Sequence, residues 1–314
     1  MIEVKNISKK YRKKVAVNDL SFTVKTGRVT GFLGPNGAGK STTMRLMLGL
    51  DNGKGETLFD GKPLHQHKHP SAVVGLLLEA KAFHPTRSAR DHLHVLATAS
   101  GVPLSRVDEV LELVGLHDVA KKGPGKFSLG MSQRLGIAAA ILNEPKHLIL
   151  DEPANGLDPE GIAWLRNFIK DYADKGNAVL ISSHLLSEMS QVADDIVVIG
   201  KGNLIADTSM ERLLAENTRS GVFVRTDKPD ALVKLLDKQE VAHEPLNAGL
   251  KVIGMSTDEV GKLLFSKGLA VLELRTQEAS LEEAFLDLTS TSQEYKSESI
   301  SESKPESKTE KDAS

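Results

Sequence analysis

Short apolar runs alternate with stretches of helical periodicity over the first two-thirds of the chain. Runs of this kind, bounded by glycine or polar residues, are typical of strands buried on both faces of a sheet. The runs that predict such strands are residues 28–33, 71–78, 147–150 and 178–183. Residues 2–4 and 22–24 alternate between apolar and polar, which predicts two half-buried antiparallel strands. Residues 196–199 predict a last strand and a hairpin-like turn that close the first domain.

Residues 86–143, which separate two of these runs, have the periodicity of helices. Apolar residues recur at i, i+3, i+4 and i+7 in residues 89–97 and 107–114, and residues 101–103 break the pattern. Ser128 is a suitable N-cap for a third helix that runs to about Leu142. The pattern therefore predicts an α/β domain over residues 1–217 that contains a helical subdomain at about residues 86–143.

The chain changes character after about residue 219. Alternating runs at 221–224 and 249–252, a run at 270–274, and helical stretches at 231–237 and 258–265 predict a small β-α-β-β-α-β domain. A last helix is predicted to begin at Ser280, with Glu283 completing a capping box. We therefore place a small α+β domain at residues 218–290. Residues 291–314 are mainly Ser, Glu and Lys, which predicts a disordered tail.

Composition narrows the classes of function. The 314 residues carry a formal net charge of -2, so a nucleic-acid partner is not expected. The chain has no cysteine, which excludes disulfides and thiolate metal sites. It has no apolar run long enough to span a membrane, and its first residues lack the pattern of a signal peptide. These features favour a cytoplasmic protein.

A glycine-rich motif lies between the first buried strand and a predicted helix. It consists of Gly34, Pro35, Asn36, Gly37, Ala38, Gly39, Lys40, Ser41 and Thr42, and it fits G-x-x-x-x-G-K-[ST]. Glycines allow successive backbone N–H groups to face one concave nest, and the following helix N-terminus favours an anion. Lys40 is expected to reach the β- and γ-phosphates of a nucleotide, and the Ser41 hydroxyl to ligate Mg²⁺.

Titratable side chains follow three of the other predicted buried strands. Asp151 and Glu152 end one strand, where open α/β sheets bind ligands. Asp151 is predicted to hold Mg²⁺, and Glu152 to orient or deprotonate water. His184 follows another strand and is either structural or a contact to the γ-phosphate or the attacking water. Glu79 follows a third and either caps the next segment or lies beside the metal.

Three weaker signals stay open at this point. Tyr11, in a basic segment, is either partly exposed packing or an aromatic face for a nucleobase. The alternating histidines at 65, 67 and 69 favour a solvated loop over a metal site, because no carboxylate or cysteine completes the set. The helix capped by Ser128 is a second plausible anion site, although capped helices are common.

The order of these motifs resembles that of the nucleotide-binding subunit of an ATP-binding-cassette (ABC) transporter over about residues 1–217. Residues 34–42 resemble its Walker A loop, residues 148–152 its Walker B motif, residues 155–158 its D-loop, and His184 its switch histidine. Residues 127–131 (Phe-Ser-Leu-Gly-Met) lie where the family has its Leu-Ser-Gly-Gly-Gln signature, and Tyr11 where it has an adenine-stacking aromatic residue. The signature and residues 281–286 (Leu-Glu-Glu-Ala-Phe-Leu) resemble the branch that exports bacitracin and lantibiotics.

The resemblance implies a P-loop ATPase that uses ATP and Mg²⁺. It further implies a head-to-tail homodimer, in which each ATP lies between the Walker A loop of one chain and the signature helix of the other. Ser128, Gly130 and Asp158 are expected to bind the nucleotide. An integral membrane permease would be a separate subunit, with this chain on the inner face of the cell membrane.

Three positions depart from the family pattern, two in the signature and one at residue 79. Leu129 replaces the first glycine of the signature and Met131 its glutamine, while Ser128 and Gly130, the expected phosphate contacts, are retained. Glu79 stands where most of the family has a glutamine that touches Mg²⁺. A carboxylate there adds a negative charge beside Asp151 and Glu152.

The predicted function is ATP hydrolysis that powers export of a substrate, such as a peptide antibiotic, through the membrane subunit. One alternative is a soluble ABC ATPase that acts in translation or DNA repair. Such proteins usually carry two cassettes or a long coiled-coil insert, and this chain has neither. A second alternative, a P-loop kinase, is disfavoured by the signature and the switch histidine.

Overall fold

The computed structural model describes residues 1–12, 14–84, 86–217 and 221–277, with side chains of the helix ending at residue 217 described as far as residue 213. The described strands are β1 (Ile2–Tyr11), β2 (Lys14–Val24), β3 (Arg28–Leu33), β4 (Lys54–Phe59), β5 (Lys62–Pro63), β6 (Val74–Leu77), β7 (His147–Leu150), β8 (Ala178–Ser183), β9 (Asp195–Gly200), β10 (Asn203–Ser209), β11 (Gly221–Thr226), β12 (His243–Leu246), β13 (Gly249–Ile253) and β14 (Val271–Gln277). The described helices are α1 (Lys40–Met47), α2 (Pro70–Val73), α3 (Ala89–Ser100), α4 (Ser105–Leu113), α5 (Leu129–Ile141), α6 (Pro159–Asp174), α7 (Leu186–Met189), α8 (Met210–Asn217), α9 (Pro229–Lys238) and α10 (Thr257–Ser266).

A six-stranded sheet of order β10-β9-β3-β8-β7-β6 forms the centre of the first domain. The neighbours from β9 to β6 are parallel, and β10 pairs antiparallel to β9. Every residue of β7, β8 and β9 is buried, as expected for apolar strands covered on both faces. Leu33 lies opposite Ser183, and Leu150 lies opposite both Leu77 and Ile181, so these strands end at one edge. The predicted α/β architecture is confirmed.

The second sheet of this domain, β2-β1-β4-β5, is antiparallel throughout. The strands predicted at 2–4 and 22–24 are in fact much longer, since β1 and β2 pair from Ile2 opposite Val24 to Tyr11 opposite Lys14. The pairing register shifts at several points, and Asn6 and Asp19 have φ of 51° and 49°. Such bulges interrupt the alternation of side chains, so the period-two pattern underestimates the strands.

The strand predicted at 71–78 is wrong over its first half. Pro70 to Val73 form the short helix α2, and the strand begins only at Val74. Proline suits the first turn of a helix, since its fixed φ is helical and its missing N–H has no partner there. Gly75 then lets β6 approach α5, because a Cβ at Gly75 would lie 2.0 Å from the carbonyl oxygen of Ala140.

The three predicted helices between residues 86 and 143 are α3, α4 and α5. Ser88 caps α3 by accepting a hydrogen bond from the Asp91 N–H, and Ser128 caps α5 by accepting one from the Met131 N–H. Their apolar faces share the main hydrophobic core with the central sheet. This packing fixes α5 against β6.

The last described unit follows the predicted β-α-β-β-α-β order, from β11 through α9, β12, β13 and α10 to β14. Its antiparallel sheet has the order β12-β13-β11-β14 and its own apolar core. Ser256 and Glu259 form a capping box at α10. The helix predicted from Ser280, its Glu283 and the tail at 291–314 lie outside the described residues. The domain boundaries at 217/218 and 290/291 therefore stay predictions.

Candidate functional site

Four parallel strands deliver the predicted functional residues to one edge of the central sheet. The loop of residues 34–42 follows β3, Asp151 and Glu152 follow β7, and His184 follows β8. Glu79 comes two residues after β6, whose Leu77 carbonyl accepts a hydrogen bond from the Asp151 N–H at 2.7 Å. The edge at the carboxyl ends of parallel strands is where open α/β sheets bind ligands.

The glycine-rich loop has a backbone shape that demands glycine at two points. Gly37 and Gly39 have φ of 80° and 109°, a region that favours glycine. A Cβ at Gly39 would also lie 2.5 Å from the carbonyl oxygen of Ala16. The loop is therefore pressed against β2 and leads directly into α1, whose N-terminus favours anions.

Lys40 is the central cation of this loop and is only 7% exposed. Its Nζ donates a hydrogen bond to the carbonyl oxygen of Gly34 at 2.7 Å and lies 3.3 Å from Oε1 of Glu152. The ammonium group thus lies between the loop and the carboxylate.

Glu152 contacts more of the other site residues than Lys40 does. Its Oε2 lies 2.9 Å from Nδ1 of His184 and accepts a hydrogen bond from Asn155 Nδ2 at 3.3 Å. Its backbone N–H donates to the Ser182 hydroxyl at 2.8 Å, and that hydroxyl in turn donates to the Asp151 carboxylate. One carboxylate therefore contacts a buried cation and an imidazole at the end of a phosphate-type loop.

Lys40, Glu152 and His184 line a cleft of about 500 Å³, within the usual range for small-molecule sites. Its lining residues are Tyr11, Lys14, Ala16, Pro35, Asn36, Gly37, Gly39, Lys40, Ser41, Thr42, Glu152, Asn155 and His184. A larger cleft of about 600 Å³ lies beside the end of α1 and β4. We place the site in the smaller cleft because Lys40, Glu152 and His184 meet there.

A family model described as ABC transporter matches residues 17–155, and one described as a domain of unknown function matches residues 220–282. An uncharacterized ABC transporter ATP-binding protein of Bacillus subtilis (strain 168) is 36% identical over 301 residues, which cover 94% of this chain and 97% of the relative. The chain is an ABC transporter ATP-binding protein.

Two further relatives are named for the peptides they transport. The bacitracin transport ATP-binding protein BcrA of Bacillus licheniformis is 37% identical over 302 residues, covering 92% of this chain and 97% of that protein. The lantibiotic transport ATP-binding protein SrtF of Streptococcus pyogenes is 39% identical over 208 residues, covering 66% and 90%. The alternative of a soluble ABC ATPase in translation or DNA repair is not favoured.

Solved structures agree with this assignment. The ATP-binding subunit of an ABC transporter has a TM-score of 0.63 and 28% identity to this chain, covering 69% of this chain and 92% of its own. A dimeric bacterial ABC transporter cassette has a TM-score of 0.62, covers 67% and 99%, and at 22% identity shows the shared fold. The P-loop ATPase fold is confirmed.

As an ABC ATPase, the chain uses ATP with Mg²⁺. The site fits both. The buried Lys40 and the glycine-shaped loop suit a polyphosphate. Ser41 and Asp151 offer hard oxygen donors, and Mg²⁺ is usually held by one or two carboxylates together with substrate phosphates. The described residues contain no cluster of three or more His, Cys, Asp or Glu that could hold a metal, so an all-protein cage is not part of this arrangement.

Tyr11 lies at the mouth of this ABC cleft and is 47% exposed. Its hydroxyl donates a hydrogen bond to Oδ2 of Asp51 at 2.9 Å, which raises the pKa of Tyr11 and lowers the pKa of Asp51. The Lys9 ammonium lies 4.9 Å from the ring centroid. The ring is therefore oriented by its neighbours and still available to a ligand.

The other predicted site residues are not brought into the cleft of the same chain. Gly34 and Ala38 are buried on the inner side of the loop. Ser128 caps α5 and Asp158 caps α6, where its Oδ1 accepts a hydrogen bond from the Gly161 N–H at 2.8 Å. A Cβ at Gly130 would lie 3.0 Å from the carbonyl oxygen of Gly156, so the signature packs on the D-loop.

Glu79 is exposed and lines a separate cavity of about 320 Å³ together with Arg45, Phe83 and His92. The histidines at 65, 67 and 69 do not converge on a metal site: Nε2 of His67 lies 2.9 Å from the carbonyl oxygen of Phe59. Sequence reasoning missed Lys14 and Ala16, which reach the cleft through the pairing of β2 and carry no local motif.

Proposed function

We propose that this ABC ATPase powers export of a peptide antibiotic of the bacitracin or lantibiotic type through a separate integral membrane permease. The observation that carries the catalytic part is the contact of Glu152 with both Lys40 and His184 beside the glycine-rich loop. The cargo class is supported by BcrA and SrtF, whose names specify bacitracin and lantibiotic transport.

The residues of the site have separate roles in phosphoryl transfer. The loop N–H groups and Lys40 bind the phosphates, and the ring of Tyr11 stacks on the adenine. Ser41 and Asp151 hold Mg²⁺, which when bound neutralises charge on the β- and γ-phosphates. Glu152 accepts a proton from the attacking water, and His184 orients that water and the γ-phosphate end of the cleft. Positioning and charge neutralisation, rather than covalent chemistry, supply the rate.

The active form is a head-to-tail homodimer. Ser128, Gly130 and Asp158 lie outside the cleft of their own chain, on the cap of α5 and the loop before α6. The uncovered N-terminus of α5 is suited to a phosphate, and a second copy would supply one. The two cassettes together thus complete each ATP site.

The membrane partner follows from the same assignment. Among the described residues, no helix is long and apolar enough to cross a bilayer. In the proposed assembly, the permease supplies the membrane path and this chain binds it at the cytoplasmic face of the cell membrane. Nucleic acid is not an expected partner.

The proposal is tested by co-expressing this chain with a candidate permease, chosen as a hydrophobic multi-span protein from a neighbouring reading frame. We expect the two proteins to co-purify, and a sensitive host that carries both to survive higher concentrations of bacitracin or a lantibiotic. The permease alone, and the pair carrying Glu152→Gln, are the controls and should confer no protection. Protection that persists with Glu152→Gln would contradict ATP-driven export, whereas ATPase activity without protection would contradict the peptide cargo alone.

Glu79→Gln is expected to change the Mg²⁺ dependence of hydrolysis while ATP binding and at least part of the activity remain. If Glu79 approaches the metal in the assembled site, it adds a carboxylate next to Asp151 and Glu152. Like charges oppose one another unless a cation compensates, so hydrolysis by the wild type should depend more strongly on bound Mg²⁺ than hydrolysis by the variant. ATPase rate against Mg²⁺ concentration measures this, with the exposed Glu112→Gln as control. Superimposable curves would mean that Glu79 is not near the metal.

A further inference from the structure

The side chain of Gln133, in the second turn of α5, connects the signature helix to the backbone of Glu152. Gln133 is 4% exposed, and its Nε2 donates hydrogen bonds to the carbonyl oxygens of Glu152 and Asn155, both at 3.2 Å. These two carbonyls begin and end the short loop that leads from β7 to the D-loop. A single amide group therefore holds both ends of the segment that carries the catalytic carboxylate.

The orientation of this amide is set by the loop rather than by the helix. Oε1 of Gln133 is buried without a hydrogen-bond partner. A buried acceptor without a partner is unfavourable, so a more favourable interaction elsewhere in the amide must offset its cost. The opposite orientation would place an oxygen against two carbonyl oxygens, which cannot donate. The two backbone carbonyls thus require a donor, and Gln133 supplies it.

Glu152 needs such support because its backbone is in a strained region. Its φ is 48°, which is uncommon for a residue other than glycine and persists only where surrounding contacts hold it. The Ser182 hydroxyl holds its N–H from the side of the sheet at 2.8 Å. On the other side its carbonyl oxygen accepts from the Asn155 N–H at 3.2 Å, within the same loop. Gln133, on α5, donates to the same carbonyl oxygen from outside the loop.

A second contact ties the same two segments together. Leu129, at the start of α5, packs on Gly156 of the D-loop: a Cβ at Gly156 would lie 2.3 Å from Leu129 Cδ2. The signature departs from the wider family at Leu129, and here that side chain fills the space above a glycine with φ of 79°. The first two turns of α5 therefore contact the loop at 152–156 through one apolar and one polar side chain.

We propose that Gln133 is a positioning residue for Glu152. It fixes the peptide of Glu152 relative to α5, so that the position of the signature helix on the partner's nucleotide sets the position of the Glu152 carboxylate in its own cleft. The inference rests on the proposed role of Glu152 and on the head-to-tail dimer. It predicts that engagement of one ATP site controls catalysis in the other through a hydrogen bond within one chain.

The test compares purified full-length Gln133→Leu with wild type and with Ser132→Ala. Leucine keeps the approximate volume and removes the donor, so we expect kcat to fall by at least about tenfold while KM for ATP stays within about twofold. Ser132 is a matched control on the same helix: it is fully buried, and its hydroxyl donates within the helix to the Ser128 carbonyl. Ser132→Ala should keep its kcat within about twofold of wild type.

Gln133→Glu provides a readout that a loss of packing would not produce. A carboxylate cannot donate to the two carbonyls, whereas a protonated carboxyl can, and burial raises the pKa of such a group. The ratio of kcat for Gln133→Glu to wild-type kcat should therefore rise between about pH 8 and about pH 6. Wild type measured at each pH is the reference, so the ratio reports only the effect of the substituted side chain. Emission from Trp164, the one tryptophan of the chain, reports whether α5 stays packed, since the Arg134 guanidinium lies 4.7 Å from its ring.

Two outcomes would overturn the inference: an unchanged kcat in Gln133→Leu, or a pH-independent ratio for Gln133→Glu. If Gln133→Leu unfolds or its Trp164 emission changes, its kcat is not used. The pH dependence of the kcat ratio for Gln133→Glu then decides whether the inference holds. Failure of the proposed function is distinguishable, because it would appear as near-normal turnover in Glu152→Gln. In the double variant Gln133→Leu/Glu152→Gln, the two decreases in kcat should not multiply, because both act through the Glu152 carboxylate. Multiplicative decreases would also contradict the inference.

Discussion

Glu152→Gln is expected to lower kcat for ATP hydrolysis by about 10²–10⁴-fold while ATP binding is retained. The carboxylate lies 2.9 Å from Nδ1 of His184 and 3.3 Å from Nζ of Lys40, where the proposed mechanism places the attacking water. Glutamine keeps the size and one oxygen but cannot accept the proton. Steady-state hydrolysis by purified protein measures the loss, and binding of a fluorescent ATP analogue measures retention.

The same variant should accumulate as an ATP-bound dimer. We expect ATP to hold the two cassettes together until it is hydrolysed, and this variant should hydrolyse ATP very slowly. Size-exclusion chromatography with and without ATP detects this species. Glu160→Gln, an exposed change in the first turn of α6, is the control and should behave as wild type. Turnover of Glu152→Gln within about twofold of wild type would remove Glu152 from the role of general base.

Lys40→Ala is expected to weaken ATP binding itself, by roughly 10- to 100-fold. The ammonium group is buried at the centre of the phosphate loop, so its hydrogen bonds to phosphate are charge-assisted and poorly replaced by water. Removing it also leaves the Gly34 carbonyl without its Nζ donor. Isothermal titration with ATP and Mg²⁺ measures the affinity, and the melting temperature without nucleotide separates this effect from unfolding.

Lys54→Ala, an exposed change at the start of β4, is the matched control for loss of one positive charge. The contrast with Glu152→Gln is informative, since one variant should lose affinity and the other turnover. An affinity of Lys40→Ala equal to that of wild type would show that Lys40 does not contact the phosphates.

The catalytic elements were predictable because their signals are local. The loop at 34–42 needs glycines, a lysine and a hydroxyl at fixed spacing, and Asp151 and His184 each follow a recognisable apolar strand. Parallel strands share an edge, so their terminal residues could be expected to meet. The observed contact between Glu152 and His184 is the outcome of that rule.

Element limits were less predictable where a tertiary contact overrides the local pattern. Residues 71–78 look like one apolar strand, yet Pro70 starts a helix and Gly75 is required by the approach of Ala140. The long pairing of β1 with β2 was missed because bulges disrupt alternation. Neither the partner helix nor the bulge is visible in a window of a few residues.

The fold class, the phosphate loop, and the carboxylate and imidazole that face it could be predicted because each depends on residue types at short spacing. Which of these groups touch depends on the tertiary structure. It left Ser128 and Asp158 outside the cleft of their own chain, and it placed Gln133 on the carbonyl of Glu152. Such contacts join residues far apart in sequence, and they depend on the docking of α5 against the sheet, which no local pattern encodes.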